Sequence, residues 1–272
     1  LQASAVHAWG LKSHRFVNET AIEILPEPLR GLYRRHREML SDLAVAPDVV
    51  LRKRDGEREA VRHYLNLEVY GEDVRLLVDL SRSEAERRFG KRKVRKAGLV
   101  PWVIVDHANG IERAIRRGDW KAAMKTSGYG GHYVADAFMP LHTTLNFDGQ
   151  ESAAGRGLHE ALEHDVVDRD LAAIARTVRS RLAPPEPMRF TQRRAFEILL
   201  EGHADVAPLI AAHEEAARRG PVGSAPYGEV LGRRTRAIVE RRLADAVSAV
   251  ASLWLSAWHA AGRPTVPADA LK

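Results

Sequence analysis

The sequence contains no cysteine among its 272 residues. A disulfide and a thiolate metal site are therefore both impossible, so any metal ion must be held by histidines and carboxylates. No apolar run approaches the roughly 18 residues that a membrane-spanning helix needs. Alternating strand patterns are also nearly absent, and residues 65–70 are the one weak candidate for a strand.

The charge balance is basic, with a formal net charge of +6 and a pI near 9.7. The length is sufficient for one large domain or two small ones. An excess of positive charge favours an anionic partner, such as nucleic acid or an acidic membrane surface, or it is a solvated surface without a partner. The basic residues 87–96 leave the same two alternatives open: a solvated turn or a patch that steers anions.

Helical periodicity dominates the chain and predicts an all-α protein that forms a single compact multi-helix domain. Residues 48–57 are expected to form a charged loop. Pro101 suits the first turn of a helix, and Gly118 suits its end. The predicted helices span about residues 14–25, 28–43, 72–89, 101–117, 120–138 and 158–182. In a long terminal helix, one face is predicted to be core: Val239, Leu243, Val247, Val250, Trp254 and Trp258.

The histidines, twelve in all, form a pattern in the middle of the chain. His132 and Asp136 are four residues apart, as are His159 and Glu163, so each pair lies on one helix face. Such a pair can direct an imidazole and a carboxylate at one metal ion. One pair alone would most simply be an exposed polar face. Two pairs with His142 between them favour a metal cluster.

Upstream residues extend this pattern. Trp9 and His14 lie near the start of the sequence, and Asp48 is followed fifteen residues later by His63. The full order is Trp, His, Asp, His, then His-x3-Asp-x5-His, then His-x3-Glu. This order resembles the zinc-dependent phospholipase C and single-strand-specific nuclease superfamily, in its bacterial branch, from Trp9 to the terminal helix. The resemblance implies an all-α domain that cuts phosphodiester bonds with a zinc cluster at the bottom of a cleft.

The resemblance also implies two to three zinc ions and assigns their ligands. One zinc would be held by Asp48, His63, His132 and Asp136. A second would be held by His142, His159 and Glu163. The third would be held by His14, by Asp136 as a bridge, and by the terminal amine and carbonyl oxygen of Trp9.

The third position requires cleavage before Trp9, because an amide nitrogen cannot donate a lone pair to zinc. Val6 and Ala8 are small residues suited to such a cleavage, although a cut after Ala5 is an alternative. Residues 1–8 are therefore expected to end a signal peptide, and the protein to be secreted or periplasmic. Residues 9–262 would form the catalytic domain and residues 263–272 a C-terminal tail.

The chemistry implied by the resemblance depends on zinc lowering the pKa of a bound water from ~15.7 to about 7. Asp48 is the expected catalytic base or orienting group. Tyr64 and Asn66 stand where the nucleases place a base-stacking ring and a base-binding acid, although simple packing would also explain Tyr64. Either Arg52 or Arg54 is expected to neutralise phosphate oxygens, if they are not merely surface charges.

The substrate remains open between two kinds of phosphodiester. Glu163 is typical of the phospholipases, since the nucleases carry aspartate there. The positions matching the phospholipases' choline contacts are about Lys12, Val49 and Ala60, none of which offers a π face or a negative charge. We expect a monomer acting on single-stranded nucleic acid or nucleotides. The alternatives are a phospholipase C of non-choline preference and a non-catalytic zinc-binding module. The histidines expected not to be ligands are His7, His36, His107, His164, His203, His213 and His259.

Overall fold

The computed structural model describes residues 9–187 and 190–267. All regular secondary structure in these residues is helical. Helix makes up 73% of the structure, and the described residues contain no strand. The predicted all-α class is therefore confirmed, as is the single compact multi-helix domain. Residues 1–8, the expected end of a signal peptide, and residues 268–272 of the expected tail lie outside the described ranges.

Fifteen α-helices, α1 to α15, follow one another along the described chain. In order, they span Leu11–Glu23, Leu29–Arg35, Arg37–Leu43, Arg52–Asp55, Glu57–Ala60, Val74–Leu77, Arg82–Phe89, Lys91–Ala97, Val100–Arg116, Trp120–Ala137, Leu158–Glu160, Arg169–Ser180, Gln192–His203, Val206–Ala217 and Ala225–Ala260. Two π-helices span Pro47–Leu51 and Ala161–Asp168, and three 3₁₀ helices span Leu67–Val69, Gly71–Asp73 and Pro140–Thr143.

The helices α9 and α10 pack against each other, and both begin as their sequences predict. Pro101 lies in the first turn of α9, where its missing N–H costs no hydrogen bond. Gly118 follows the end of α9 with a φ of +73°, a conformation that favours glycine. The Asp119 side chain then caps α10 by accepting a hydrogen bond from the Ala122 N–H at 2.9 Å.

The terminal helix α15 contains 36 residues and packs along α10. Its apolar face is core as predicted: Trp254 is fully buried, and its indole N–H donates to the Ser127 carbonyl of α10 at 3.1 Å. Trp258 is partly buried and donates to the Pro264 carbonyl, so the described part of the tail folds back onto the helix. Within the described residues, no helix is both long enough and apolar enough to cross a membrane.

A close approach between α1 and α10 fixes the position of His14. A Cβ atom at Gly131 would lie 2.0 Å from Oδ1 of Asn18, so only glycine allows the two helices to come this close. The Asn18 amide donates to the carbonyls of Leu40 and Gly128, at 3.0 and 3.1 Å. Because His14 lies one turn before Asn18, this contact brings it against α10.

Three predicted elements have different boundaries. The continuous helix over 72–89 is wrong, because Ser81 starts a new helix through a capping box with Glu84. The predicted helix over 28–43 is interrupted at His36. Within residues 65–70, Leu67–Val69 form a 3₁₀ helix, and the described chain contains no strand.

The predicted loop over 48–57 is also wrong, since these residues are helical. Pro47 begins a π-helix that runs directly into α4. A second π-helix interrupts the predicted helix over 158–182. Each π-helix carries an expected ligand, Asp48 in the first and Glu163 in the second. π-Helical segments are rare, and those that occur are often at functional sites, so these two indicate a site near Asp48 and Glu163.

Candidate metal centre

The four residues expected to hold the first ion lie together at the centre of the helical domain. The Nδ1 atom of His63 lies 2.9 Å from Oδ2 of Asp136 and 3.6 Å from Oδ1 of Asp48. The Nε2 atom of His132 lies 3.2 Å from the same Asp136 oxygen and 4.0 Å from Oδ2 of Asp48. All four side chains are buried. Two imidazoles and two carboxylates therefore converge on one small volume.

His14 joins this cluster from α1. Its Nε2 atom lies 3.4 Å from Oδ1 of Asp136, and its ring stacks on the His132 ring with centroids 4.1 Å apart. Both ring nitrogens of His14 are buried and form no hydrogen bond within the described residues. Buried polar atoms in native proteins nearly always have a partner. A cation held between His14 and Asp136 would provide one.

A second cluster is built from His142, His159 and Glu163. The Nε2 atom of His159 lies 2.6 Å from Oε1 of Glu163, and the rings of His142 and His159 are 5.3 Å apart. His142 lies in the 3₁₀ helix after α10, and the other two lie one turn apart around α11 and the second π-helix. All three side chains are buried.

The histidines and carboxylates among the expected ligands thus form three groups. Within each group, one ligand atom per residue lies within 4.8 Å of the others. The groups are His14, His132 and Asp136; Asp48, His63 and His132; and His142, His159 and Glu163. Imidazole nitrogens and carboxylate oxygens are ligands for divalent transition metals. The buried donors and the two nitrogens of His14 fit such ions, so these groups could hold metal.

Backbone carbonyls orient two of the imidazoles. The Nδ1–H of His132 donates to the Ala44 carbonyl at 2.7 Å, and the Nδ1–H of His142 donates to the His63 carbonyl at 2.7 Å. Each hydrogen bond fixes the ring and leaves Nε2 as the nitrogen that can donate a lone pair. Metal-binding histidines almost always have such a partner on the other nitrogen.

His63 is oriented by a carboxylate that the sequence analysis missed. Its Nε2 atom lies 3.4 Å from Oε1 of Glu59, on the side of the ring opposite Asp136. Glu59 is itself buried, accepts a hydrogen bond from the Tyr133 hydroxyl and lies 3.2 Å from Nε of Arg62. Glu59 and His63 are four residues apart, the same spacing that identified the other two pairs. That spacing was the available signal.

The start of the helix carrying His159 is fixed by Asp148, a second residue that the sequence analysis left without a role. Its Oδ1 atom accepts hydrogen bonds from the N–H groups of Gly157 at 3.0 Å and His159 at 3.3 Å. Its backbone carbonyl accepts from Gly157 and Leu158 as well. The polar loop between His142 and His159 therefore positions the second cluster.

The histidines of the two clusters include some with a lowered pKa and some with a raised pKa. Burial, together with the neighbouring His132, lowers the pKa of His14 to about 3, and burial lowers the pKa of His142 to about 4. Burial acts in the same direction on His63, but its contacts with Asp136 and Glu59 outweigh burial and raise its pKa to about 9. Burial would raise the pKa of Asp136, yet His132 and His63 hold it well below its ordinary value.

Trp9 lies beside the cluster that contains Asp136, although it belongs to none of the three groups. Its side chain is buried, and its indole N–H donates to the Ala135 carbonyl at 2.9 Å. Ala135 immediately precedes Asp136, so the indole anchors the start of the described chain one residue from that carboxylate. The expected role of the Trp9 amine and carbonyl as ligands remains a prediction.

A cleft of about 220 Å³ leads from the surface to the two clusters. Three buried histidines, His63, His142 and His159, form part of its wall, so the clusters lie at its inner end. Its lining residues are Arg52, Glu57, Ala60, His63, Tyr64, Asn66, Leu141, His142, Phe147 and His159.

The cleft contains all three of the predicted substrate contacts, Arg52, Tyr64 and Asn66. The alternative arginine, Arg54, is not among its lining residues and pairs with Asp55 at 2.6 Å. Glu57 and Phe147 also line it and had not been expected. The Phe147 ring lies 5.9 Å from that of His159.

The remaining described histidines lie outside the three groups. Several have other partners: Nδ1 of His107 donates to the Val103 carbonyl, and His213 lies 2.6 Å from the Tyr227 hydroxyl. The Nδ1 atom of His203 lies 3.0 Å from the Thr143 hydroxyl. His7 lies outside the described residues.

No protein-family model matches this chain, and a search of curated proteins finds no match either. The arrangement of its own residues is therefore the basis for assigning a function.

Proposed function

We propose that this chain is a zinc-dependent phosphodiesterase of the phospholipase C and single-strand-specific nuclease type, acting on single-stranded nucleic acid or nucleotides. The observation that carries the proposal is the opening of two buried histidine–carboxylate clusters onto one cleft, through His63, His142 and His159. A structural metal site is usually closed, whereas a hydrolytic one keeps an open position for water and substrate.

Zinc in these groups would supply Lewis acidity and a water that is acidic enough to ionise at neutral pH. The residues of the chain would do the rest. Asp48 is buried beside His63, which lines the cleft, and its Oδ1 atom lies 3.9 Å from Nη1 of Arg52. Asp48 would accept a proton or orient the nucleophile. Arg52, which also lines the cleft, would hold a phosphate oxygen and stabilise the charge that develops on it.

The nucleic-acid preference is supported by Tyr64 and Asn66 in the same cleft. Burial raises the pKa of the Tyr64 hydroxyl, and the negative charge of Glu57 raises it further, so the ring is neutral at physiological pH. A neutral aromatic ring can stack on a base, a contact worth about 1–3 kcal/mol. The Asn66 amide can donate and accept hydrogen bonds at a base edge.

A second candidate, a phospholipase C, is favoured by one specific observation. The cleft combines the carboxylate of Glu57 with the rings of Tyr64 and Phe147. A negative charge and two π faces suit a cationic lipid head group. The expectation against choline rests on Lys12, Val49 and Ala60. Of these, Ala60 lines the cleft and offers neither a negative charge nor a π face, whereas Glu57, Tyr64 and Phe147 in the same cleft offer both. A cationic head group need not be choline, since ethanolamine is also a cation, so the non-choline phospholipase C stays a prediction.

A chromogenic phosphodiester tests the proposal. Zinc-loaded protein should release the chromophore, chelation should stop release, and added zinc should restore it. Absence of chelator-sensitive turnover would instead favour a non-catalytic metal-binding module.

Parallel assays on single-stranded DNA, RNA, phosphatidylcholine and phosphatidylethanolamine then distinguish the two enzymes. Tyr64→Ala and Phe147→Ala provide a matched pair of aromatic changes in one cleft. Base stacking on Tyr64 predicts a large loss on DNA for the first variant and a smaller one for the second. Equal losses on phosphatidylcholine, with no turnover of DNA, would identify a lipase.

A further inference from the structure

The helices α7 and α8 form a hairpin with a dense positive charge. Residues 87–96 contain seven basic side chains and no acidic one. All seven are exposed: Arg87, Arg88, Lys91, Arg92, Lys93, Arg95 and Lys96. None of them forms an ion pair within the part of the chain that the structure describes. Elsewhere on the surface, arginines are paired with carboxylates, as Arg193 is with Asp79 at 2.7 Å.

This charge is held on an ordered surface. Residues 87–96 belong to two helices that contact each other and are joined at Gly90, whose φ of +88° favours glycine. The buried side chains of Ala85 and Val94 fasten both helices to the domain. The Lys93 ammonium lies 5.4 Å from the centre of the Tyr70 ring. The surface is therefore preorganised, and binding to it would not have to order a loose turn.

The C-terminal end of α8 is joined directly to the cleft. The Asn66 N–H donates to the Ala97 carbonyl at 2.7 Å, and the Val100 N–H donates to the Tyr64 carbonyl at 3.3 Å. A Cβ atom at Gly98 would collide with the Tyr64 carbonyl, so the contact requires glycine there. The basic surface thus begins where two cleft residues lie and extends along α8 for about 10 Å.

We propose that this hairpin binds the phosphate backbone of a single-stranded nucleic acid, on the part of the strand that extends out of the cleft. The inference rests on the proposed function of the cleft and adds that the substrate is a strand of several nucleotides. Clustered lysines and arginines beside aromatic platforms are the usual means of binding single strands without sequence preference.

A nucleic acid fits this surface better than a membrane does. The exposed large apolar side chains of the described residues are Val50, Leu76 and Leu145, and none belongs to the hairpin. The hairpin therefore offers charge without an apolar anchor for a bilayer. It is also continuous with Tyr64, the ring in the cleft that can stack on a base.

Neutralising part of the hairpin tests this proposal. The variant carries Lys91→Gln, Arg92→Gln, Arg95→Gln and Lys96→Gln, and keeps Lys93 because it packs on Tyr70. The control carries glutamine at four other exposed basic positions: Arg113, Arg117, Lys121 and Lys125. The control site is remote, since Lys121 precedes His132 by eleven residues of α10, about 16 Å along the helix axis.

Binding is measured by fluorescence anisotropy with labelled oligothymidylate of about 20 nucleotides, in chelator so that it stays uncut, across a range of salt concentrations. Each phosphate contact on a single strand contributes about 0.7 to the slope of log affinity against log salt. We expect the hairpin variant to bind at least tenfold more weakly at low salt and its slope to fall by up to about 3. The control should bind like the unchanged protein, and the chromogenic diester should be cut equally by all three.

An equal loss in the control, or no loss in the hairpin variant, would overturn the proposal. So would a loss confined to vesicles of phosphatidylglycerol, which would assign the hairpin to a membrane. If the hairpin variant loses oligonucleotide binding but the unchanged protein cuts no phosphodiester, the result would support the proposed binding surface and refute the proposed function.

Discussion

The Nδ1 atom of His63 lies 2.9 Å from Oδ2 of Asp136, although 73 residues separate the two in sequence. The other oxygen of the same carboxylate lies 3.4 Å from Nε2 of His14. One buried aspartate on α10 thus faces histidines from two other parts of the chain. This sharing is what joins the separate sequence motifs into one cluster, and the bridging role expected of Asp136 depends on it.

Glu59→Gln should weaken zinc binding without removing a ligand. The amide keeps the size of the side chain but loses the charge that faces Nε2 of His63. Loss of such a supporting carboxylate typically lowers metal affinity by 10–100-fold. Competition with a chromogenic chelator measures the affinity. Glu57→Gln, on the same short helix but exposed, is the matched control; equal weakening in both variants would show that Glu59 has no specific role.

The third zinc should depend on the amine of Trp9. A protein that begins at Trp9 should bind three zinc ions, whereas one that retains residues 1–8 should bind two, because the amide nitrogen cannot serve as a ligand. Native mass spectrometry of the two proteins counts the ions directly. The same number in both would remove Trp9 from the ligand set and leave it as the aromatic anchor that its hydrogen bond to Ala135 describes.

Gly131→Ala should destabilise the domain by about 1–3 kcal/mol, the typical cost of overpacking a core. The new Cβ would lie 2.0 Å from Oδ1 of Asn18, whose amide is fixed by two hydrogen bonds. Gly232→Ala is the control within a helix, because its Cβ would meet Val166 at an ordinary 3.5 Å. Urea unfolding should show a loss for the first and no loss for the second; equal midpoints would contradict the packing argument.

The metal-free protein should be most stable near pH 6.5. The raised pKa of His63, about 9, contributes stability that is complete below 6.5 and lost as the pH rises to 9. The lowered pKa values of His14 and His142, about 3 and 4, make the unfolded state bind more protons as the pH falls below 6.5. Urea unfolding in chelator measures this profile. Stability that is constant, or that rises, between pH 6.5 and 9 would contradict it.

Much of the fold followed from the sequence because helix signals are local. Pro101 and Gly118 mark the ends of α9, and the apolar face around Trp254 marks the core side of α15. The divisions at His36 and Ser81 were missed, since helical periodicity continues through both positions. The sequence pattern did not predict α8, α13 and α14 as separate helices. They lie in charged or alanine-rich segments, where packing against the rest of the domain decides the structure.

The candidate site was only partly predictable, for a different reason. The four-residue spacings of His132 with Asp136 and of His159 with Glu163 follow from helix geometry. The bridging of His14, His63 and His132 by one carboxylate depends on how distant helices pack. Phe147 was not predicted to line the cleft, because it lies in a loop, where the sequence pattern does not indicate which way a side chain points.

The most direct test of the metal centre is to measure zinc content and phosphodiester turnover together in the unchanged protein and in His142→Ala. His142 contributes one ring to the second cluster and lines the cleft. His259→Ala, at the far end of α15, controls for loss of a histidine. We expect that chelation abolishes turnover, that zinc restores it, and that His142→Ala lacks one zinc and is inactive. Turnover that resists chelation, or an unchanged zinc content in His142→Ala, would contradict this expectation.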